Sequence, residues 1–227
     1  LLAAVPASVL PATEEESYPL TPMQQGLWFH SRYGQTPGLY FQQLSGVLQG
    51  DLNEDAFRDA WQHAAARHPT LRSRFAADAE GEPIQRIQPS LAMEWRPADW
   101  RDCDDGERAE RLRSFLDADR ERGFDLERPP LWRCALFRLA LDRWQWTFSF
   151  HHLLLDGWSL ANLLREVFTA YAALRHGQPL SLPQPAPFGD YLAYLGKQDK
   201  AAAEAFWRRE LAGFPLSEII PEWRRLR

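Results

Sequence analysis

The 227 residues suffice for one large domain or two small ones, and 45% hydrophobic with 25% charged residues is an ordinary globular balance. The net charge of −5, with Lys and Arg scattered among Asp and Glu, leaves no basic stripe to displace counterions from phosphates, which excludes a nucleic-acid-binding surface. No apolar run is long enough to cross a bilayer, and Cys103 and Cys134 stand without metal-type spacing, so a reduced, cytoplasmic protein is expected.

The mildly apolar start, Leu1 to Leu10, lacks a basic leader, and with Pro11 to Ser17 it predicts an inter-domain linker over 1–17 of a longer chain. Thr21-Pro22-Met23-Gln24 is a capping-box pattern with Pro at the first helical position, which starts a helix running to about Ser31. Alternating apolar positions predict a strand over 39–48. Ala56, Phe57, Ala60, Trp61 and Ala64 recur at helical spacing, giving a helix over 53–67 that ends near His68-Pro69. The runs 71–76 and 83–88 flank an Asp-Ala-Glu-Gly turn and predict a hairpin. A charged helix follows over 107–122, closed by Gly123.

Two strands, 131–141 and 143–150, are joined by a tight connection at Asp142-Arg143. In the second, Trp144, Trp146, Phe148 and Phe150 share one face and Gln145, Thr147 and Ser149 the other. The clearest helix is 159–175, with Leu160, Leu163, Leu164, Val167, Phe168, Tyr171 and Leu174 on one stripe, Ser159 as N-cap, and Gly177 with Pro179 as the stop. A proline-rich connection leads to helical segments at 188–196 and 198–211. Ten Trp, thirteen Phe and six Tyr supply the core. The expected fold class is α/β: a two-layer sandwich of helices on a largely antiparallel, mixed sheet.

Chemistry concentrates in Phe150-His151-His152-Leu153-Leu154-Leu155-Asp156-Gly157-Trp158-Ser159, between a strand and a strong helix. If the alternation persists, His151 follows Ser149 and His152 follows Phe150, so one ring is structural and the other projects into a site. Those opposed directions make the pair a poor chelate, and no further Cys, His or carboxylate cluster marks a metal site. A serine hydrolase lacks its Gly-x-Ser-x-Gly elbow. Two satisfied histidines near a strand end remain the structural alternative, and Asp156 is electrostatically comfortable at a helix start without any further role.

The stretch His-His-x-x-x-Asp-Gly resembles the signature of condensation domains of nonribosomal peptide synthetases and of the superfamily that includes chloramphenicol acetyltransferase. Three other stretches resemble that family's motifs, in its order: Leu20 to His30, Arg67 to Phe75 and Phe188 to Tyr194. The resemblance spans about 18–213 and implies one chloramphenicol acetyltransferase-like lobe, the amino-terminal one, followed by a tail or inter-lobe linker over 214–227. It further implies a site of His152, His151, Asp156 and Gly157, with His152 as the active-site histidine and Gly157 allowing close backbone approach. Arg72, Arg67 and Trp158 are implied as structural support, Arg72 by pairing with Asp156.

By that resemblance the reaction joins two substrates held on phosphopantetheine arms of donor and acceptor peptidyl carrier proteins. No cofactor or metal is bound by the lobe itself. The carboxy-terminal lobe, whose motifs are absent here, is the implied partner. A single lobe is expected to be inactive alone and to expose an apolar surface that permits self-association. Trp158-Ser-Leu-Ala-Asn after the signature is closer to peptide-bond-forming members than to epimerisation domains, and the aspartate pattern of heterocyclisation domains is missing. The remaining alternatives are a non-catalytic recruitment module, an epimerisation domain and a coenzyme A-dependent acyltransferase.

Overall fold

The computed structural model describes residues 16–34 and 38–214. The chain divides into two compact units, Leu1–Pro185 and Ala186–Arg227. The predicted lobe at 18–213 spans both, while the linker residues 1–15 and the tail from 215 onward lie outside the described residues.

In the first unit, strand β1 (Glu16–Pro19) leads into helix α1 (Pro22–Tyr33), strand β2 (Phe41–Gln49) and helix α2 (Glu54–Arg67). A 3-10 turn at Pro69–Arg72 precedes β3 (Ser73–Ala77), β4 (Pro83–Ile87), β5 (Trp95–Asp99) and helix α3 (Asp105–Arg122). Strands β6 (Trp132–Arg138) and β7 (Arg143–His151) then run into helix α4 (Gly157–Arg175). The second unit holds α5 (Phe188–Gly196) and α6 (Lys200–Glu210).

The expected α/β class is what the chain adopts. The larger sheet has the order β2-β7-β6-β5, antiparallel except for the parallel pair β5–β6, and a smaller antiparallel sheet has the order β1-β4-β3. Two strands had no sequence signature. β1 takes in Glu16 and Ser17, which the composition had assigned to linker, and β5 is an edge strand containing Pro97 with mostly exposed side chains, so neither alternates.

The helix ends follow capping chemistry. Thr21 and Gln24 close the predicted box at α1: the Gln24 N–H donates to Thr21 Oγ1 at 3.2 Å, and the Thr21 N–H to Gln24 Oε1 at 3.1 Å. Helix α3 starts two residues before the predicted point because Asp104 and Glu107 form a second capping box. It ends at Gly123, whose φ of +56° suits a residue without Cβ.

Strand β7 is central in its sheet and buried on both faces. Its Trp146 and Phe148 pack on Trp61 of α2, with ring centroids 5.9 and 4.6 Å apart, and Trp132 of β6 closes the group at 5.9 Å from Trp61. The small residues Ala60, Ala64 and Ala65 let the α2 backbone sit close to this aromatic layer, and Val167 and Ala170 of α4 join the same core. On the opposite face, under α3, Phe137 meets Phe115 at 5.0 Å. There Ser149 donates to a buried Asp119 carboxylate at 2.6 Å, and Arg133 pairs with the same carboxylate. The polar side of the β7 alternation therefore faces a buried charged cluster rather than solvent.

Candidate active site

Strand β7 ends by pairing His151 with Phe41, and the chain then turns through His152-Leu153-Leu154-Leu155 into α4. Leu153, Leu154 and Leu155 are all buried in the main core. The three unspecified positions of the signature are thus apolar anchors that pin the loop from below. Its carbonyls are held one by one. His151 O accepts the Leu154 N–H at 3.0 Å, Leu153 O accepts Gln24 Nε2 at 3.3 Å, and Leu154 O accepts Thr70 Oγ1 at 3.2 Å. The Leu155 carbonyl, last in the loop, receives the imidazole of His152 through Nδ1 at 2.7 Å.

That contact decides the protonation pattern of His152. A carbonyl oxygen only accepts, so Nδ1 carries the hydrogen, and in the neutral ring Nε2 then bears the free lone pair. Nε2 makes no hydrogen bond among the described residues, and the side chain is half-buried. The arrangement is an oriented base with its basic nitrogen unoccupied.

His151 is 4% exposed and oppositely committed. Its Nδ1 accepts the Leu153 N–H at 3.2 Å, so Nε2 carries the hydrogen and donates to Ser31 Oγ at 3.3 Å, and Ser31 in turn donates to the Leu27 carbonyl at 2.8 Å. Burial, helped by the neighbouring His152, lowers its pKa from 6.5 to about 4. His151 is thus buried and neutral, while His152 is half-buried with only its Nδ1 engaged among the described residues.

Asp156 is the N-cap of α4, accepting the Ser159 N–H at 2.7 Å, and Ser159, expected as the cap, sits inside the first turn. The cap comes three residues earlier because a carboxylate outcompetes a hydroxyl for orphan helix amides beside the positive end of the dipole. The backbone and side chain of Ser159 hold the Asp156 carboxyl below its ordinary range.

The expected Arg72–Asp156 pair is not formed. The Arg72 guanidinium donates to the carbonyls of Ala65 at 3.3 Å and Gln88 at 3.2 Å. The last-turn carbonyls of α2 offer it a negative dipole end, and Asp156 is already engaged by α4. Burial lowers the Arg72 pKa, partly offset by the charge of Glu16.

Arg67 ties α2 to α4, donating to Glu166 Oε2 at 3.0 Å and to the Pro183 carbonyl, while His68 meets the same Glu166 oxygen at 2.7 Å. Burial opposes ionisation of Glu166, but the hydrogen bonds and charges of His68 and Arg67 outweigh it and hold its carboxyl below the usual range.

Gly157 is surrounded by open space, since a Cβ there would meet nothing within 4 Å. The close backbone approach expected at this position has no counterpart among the described residues. Trp158 beside it is 84% exposed, and Met23, Phe29 and Tyr33 of α1 are exposed as well. Among the described residues no three His, Cys, Asp or Glu side chains gather to hold a metal ion, and no helix is long and apolar enough to cross a membrane.

The sequence did not single out Gln24, Thr70 or Ser31 as site residues. Each lies in or beside a stretch quoted for its resemblance, but its role is a hydrogen bond to a loop distant along the chain, which no local pattern encodes.

A model of the condensation domain family matches residues 14–226. A component of the linear gramicidin synthase of Brevibacillus parabrevis is 41% identical over 200 residues, which cover 88% of this chain and 4% of that protein. Bacitracin synthase 1 of Bacillus licheniformis is 33% identical over 211 residues, covering 93% of this chain and again 4% of the relative. Among solved structures, the starter condensation domain of rhizomide synthetase superposes with a TM-score of 0.78 at 23% identity, over 88% of this chain and 49% of that one. The first condensation domain of the calcium-dependent antibiotic synthetase gives 0.77 at 24% identity, over 88% and 48%. The chain thus spans just under half of these solved domains and a small fraction of the synthases.

Proposed function

The chain belongs to the condensation domain family, and from that premise we propose that it is the amino-terminal lobe of a peptide-bond-forming domain in which His152 handles the proton. The observation that carries this reading is the 2.7 Å bond from His152 Nδ1 to the Leu155 carbonyl, which leaves Nε2 as a fixed base.

The substrates are an aminoacyl or peptidyl thioester on a donor carrier protein and an aminoacyl acceptor on a second one, both tethered by phosphopantetheine. The acceptor amine attacks the thioester carbonyl, the new C–N bond forms, and the C–S bond breaks as the tetrahedral intermediate collapses. His152 Nε2 takes the proton leaving nitrogen and passes it to the departing thiolate. An α-amino group has an ordinary pKa of roughly 7.7–8.0, so generating the nucleophile demands little base strength. Holding two tethered reactants in line contributes more, because effective molarity accounts for roughly 7–11 kcal/mol of barrier in well-oriented systems. His152 is therefore a positioned proton relay, with proximity the larger effect.

The partners that complete this reading are a carboxy-terminal lobe, which supplies the other wall of the site, and the two carrier proteins. The exposed Trp158, Met23, Phe29 and Tyr33 supply apolar surface for such a neighbour, or for self-association in its absence. These 227 residues alone then form no amide. Buried, unpaired Cys103 and Cys134 accord with a reducing, cytoplasmic setting. The test is amide formation from two loaded carrier proteins, with the lobe alone and with the complete two-lobed domain. Product from the complete domain only is the expected result, and no product from either contradicts the reading.

A further inference from the structure

Tyr40 is the one described residue other than glycine whose backbone lies in the left-handed region, at φ +61°. For a bulky side chain this conformation is costly and persists only where the surroundings impose it. Gly38, two residues earlier at φ +72°, has no Cβ and meets no such penalty. The outcome at Tyr40 is specific, because its carbonyl oxygen accepts the backbone N–H of His152 at 2.9 Å. The β2–β7 ladder ends at Phe41 and His151, so this bond extends the pairing one residue past the strand end and onto His152 itself. Three contacts hold the Tyr40 side chain. Its hydroxyl lies 2.9 Å from Nδ1 of His30 on α1, its ring stacks on that of His30 with centroids 6.4 Å apart, and it stands edge-on to His151 with centroids 6.3 Å apart.

We propose that Tyr40 is a positioning residue for His152. Its side chain, held by His30 and His151, maintains a left-handed backbone that aims the Tyr40 carbonyl at the His152 amide and so fixes where β7 releases the imidazole. The proposal rests on the acyl-transfer reading of His152, but its central contact is measurable without any reaction.

Three substitutions separate backbone aim from simple packing. Tyr40→Ala removes the ring yet keeps the Cβ that disfavours positive φ, so the residue relaxes and the bond to His152 is lost. Tyr40→Gly removes the same ring but adopts φ +61° freely and retains the bond. Tyr40→Phe keeps the ring and its contacts with His30 and His151 and loses only the hydroxyl bond to His30. Were Tyr40 a packing residue alone, Gly would damage the site at least as much as Ala.

The measurement is hydrogen exchange of the His152 amide in the 227-residue chain, paired with kcat and KM in the complete domain. Tyr40→Ala is expected to exchange roughly tenfold faster than the unsubstituted chain, as loss of one backbone bond implies, with Tyr40→Gly between the two. The kcat values follow the same order while KM stays unchanged. Exchange in Tyr40→Gly as fast as in Tyr40→Ala, or no change in Tyr40→Ala, overturns the proposal. If Tyr40→Ala does not fold while Tyr40→Gly does, the proposal stands. If neither folds, Tyr40→Phe decides: faster exchange than the unsubstituted chain supports it and equal exchange refutes it. The predicted order of exchange with kcat unmoved in all three would count against His152 as the base, not against its placement by Tyr40.

Discussion

His152 Nδ1 and the carbonyl oxygen of Leu155 lie 2.7 Å apart, joined across a three-residue loop whose leucines are buried in the core. The bond is local, but the loop that permits it is held from a distance, by Gln24 on α1 and by Thr70 in the 3-10 turn. The ring orientation is therefore a product of the whole unit, and it exists only when the unit is folded.

In the folded chain the neutral His152 ring carries its hydrogen on Nδ1. Ring nitrogen-15 spectra should show a protonated Nδ1 and a pyridine-type Nε2. His151 should show the reverse, since its Nδ1 accepts from Leu153 and its Nε2 donates to Ser31. Two histidines with the same tautomer would contradict the assignment.

Asp156 caps α4 without help from Arg72. Asp156→Ala should cost about 1 kcal/mol of unfolding free energy in urea, and Asp156→Asn or Asp156→Ser much less. In a double-mutant cycle with Arg72→Ala, the effects in this chain should add to within about 0.5 kcal/mol. A larger coupling would mean that the two side chains meet after all.

Acid should weaken the unit through His151. In the native chain its ring stays neutral down to about pH 4, whereas in the unfolded chain it takes a proton near its ordinary 6.5. Between those values the unfolded state binds more protons, so this stabilisation is complete above pH 6.5 and is lost as the pH falls toward 4. The loss amounts to about 3 kcal/mol at most. His151→Asn keeps an acceptor for the Leu153 N–H and cannot titrate. The difference between the two stability–pH curves isolates this component, and parallel curves would contradict it.

The charged cluster beneath α3 offers a sharper stability test. Asp119 accepts from Ser149 and from Gln43, the latter at 3.0 Å, and it pairs with Arg133, whose pKa burial lowers against the opposing pull of that carboxylate. Asp119→Ala strands a buried guanidinium and should cost roughly 3–5 kcal/mol. Adding Arg133→Met should recover part of that loss. A double variant less stable than the single one would mean the pair is not the source of the cost.

The different burial of His151 and His152 was legible because strand alternation is a local property: Ser149 and His151 fall on one side of β7 and Phe148 and Phe150 on the other. The helix stripes of α2 and α4 were legible for the same reason. The partner of Arg72 was not, because Arg72 and Asp156 are separated in sequence and which group satisfies a guanidinium depends on how α2 and β4 come together. Nor was Tyr40, since nothing in Gly38-Leu39-Tyr40-Phe41 marks the tyrosine rather than the glycine as the residue whose left-handed backbone serves the site. The cap at Asp156 was within reach, because Asp caps a helix as well as Ser does and stands directly ahead of the apolar stripe, but the expected pairing with Arg72 drew it elsewhere.

The most direct test of the account is the single-turnover rate of amide formation by the complete domain, with donor and acceptor carrier proteins loaded, for unsubstituted enzyme and His152→Ala. The account predicts a rate lower by roughly 10²–10⁴-fold, the usual contribution of a positioned acid–base group, with carrier-protein binding unchanged. An unchanged rate in His152→Ala would contradict it.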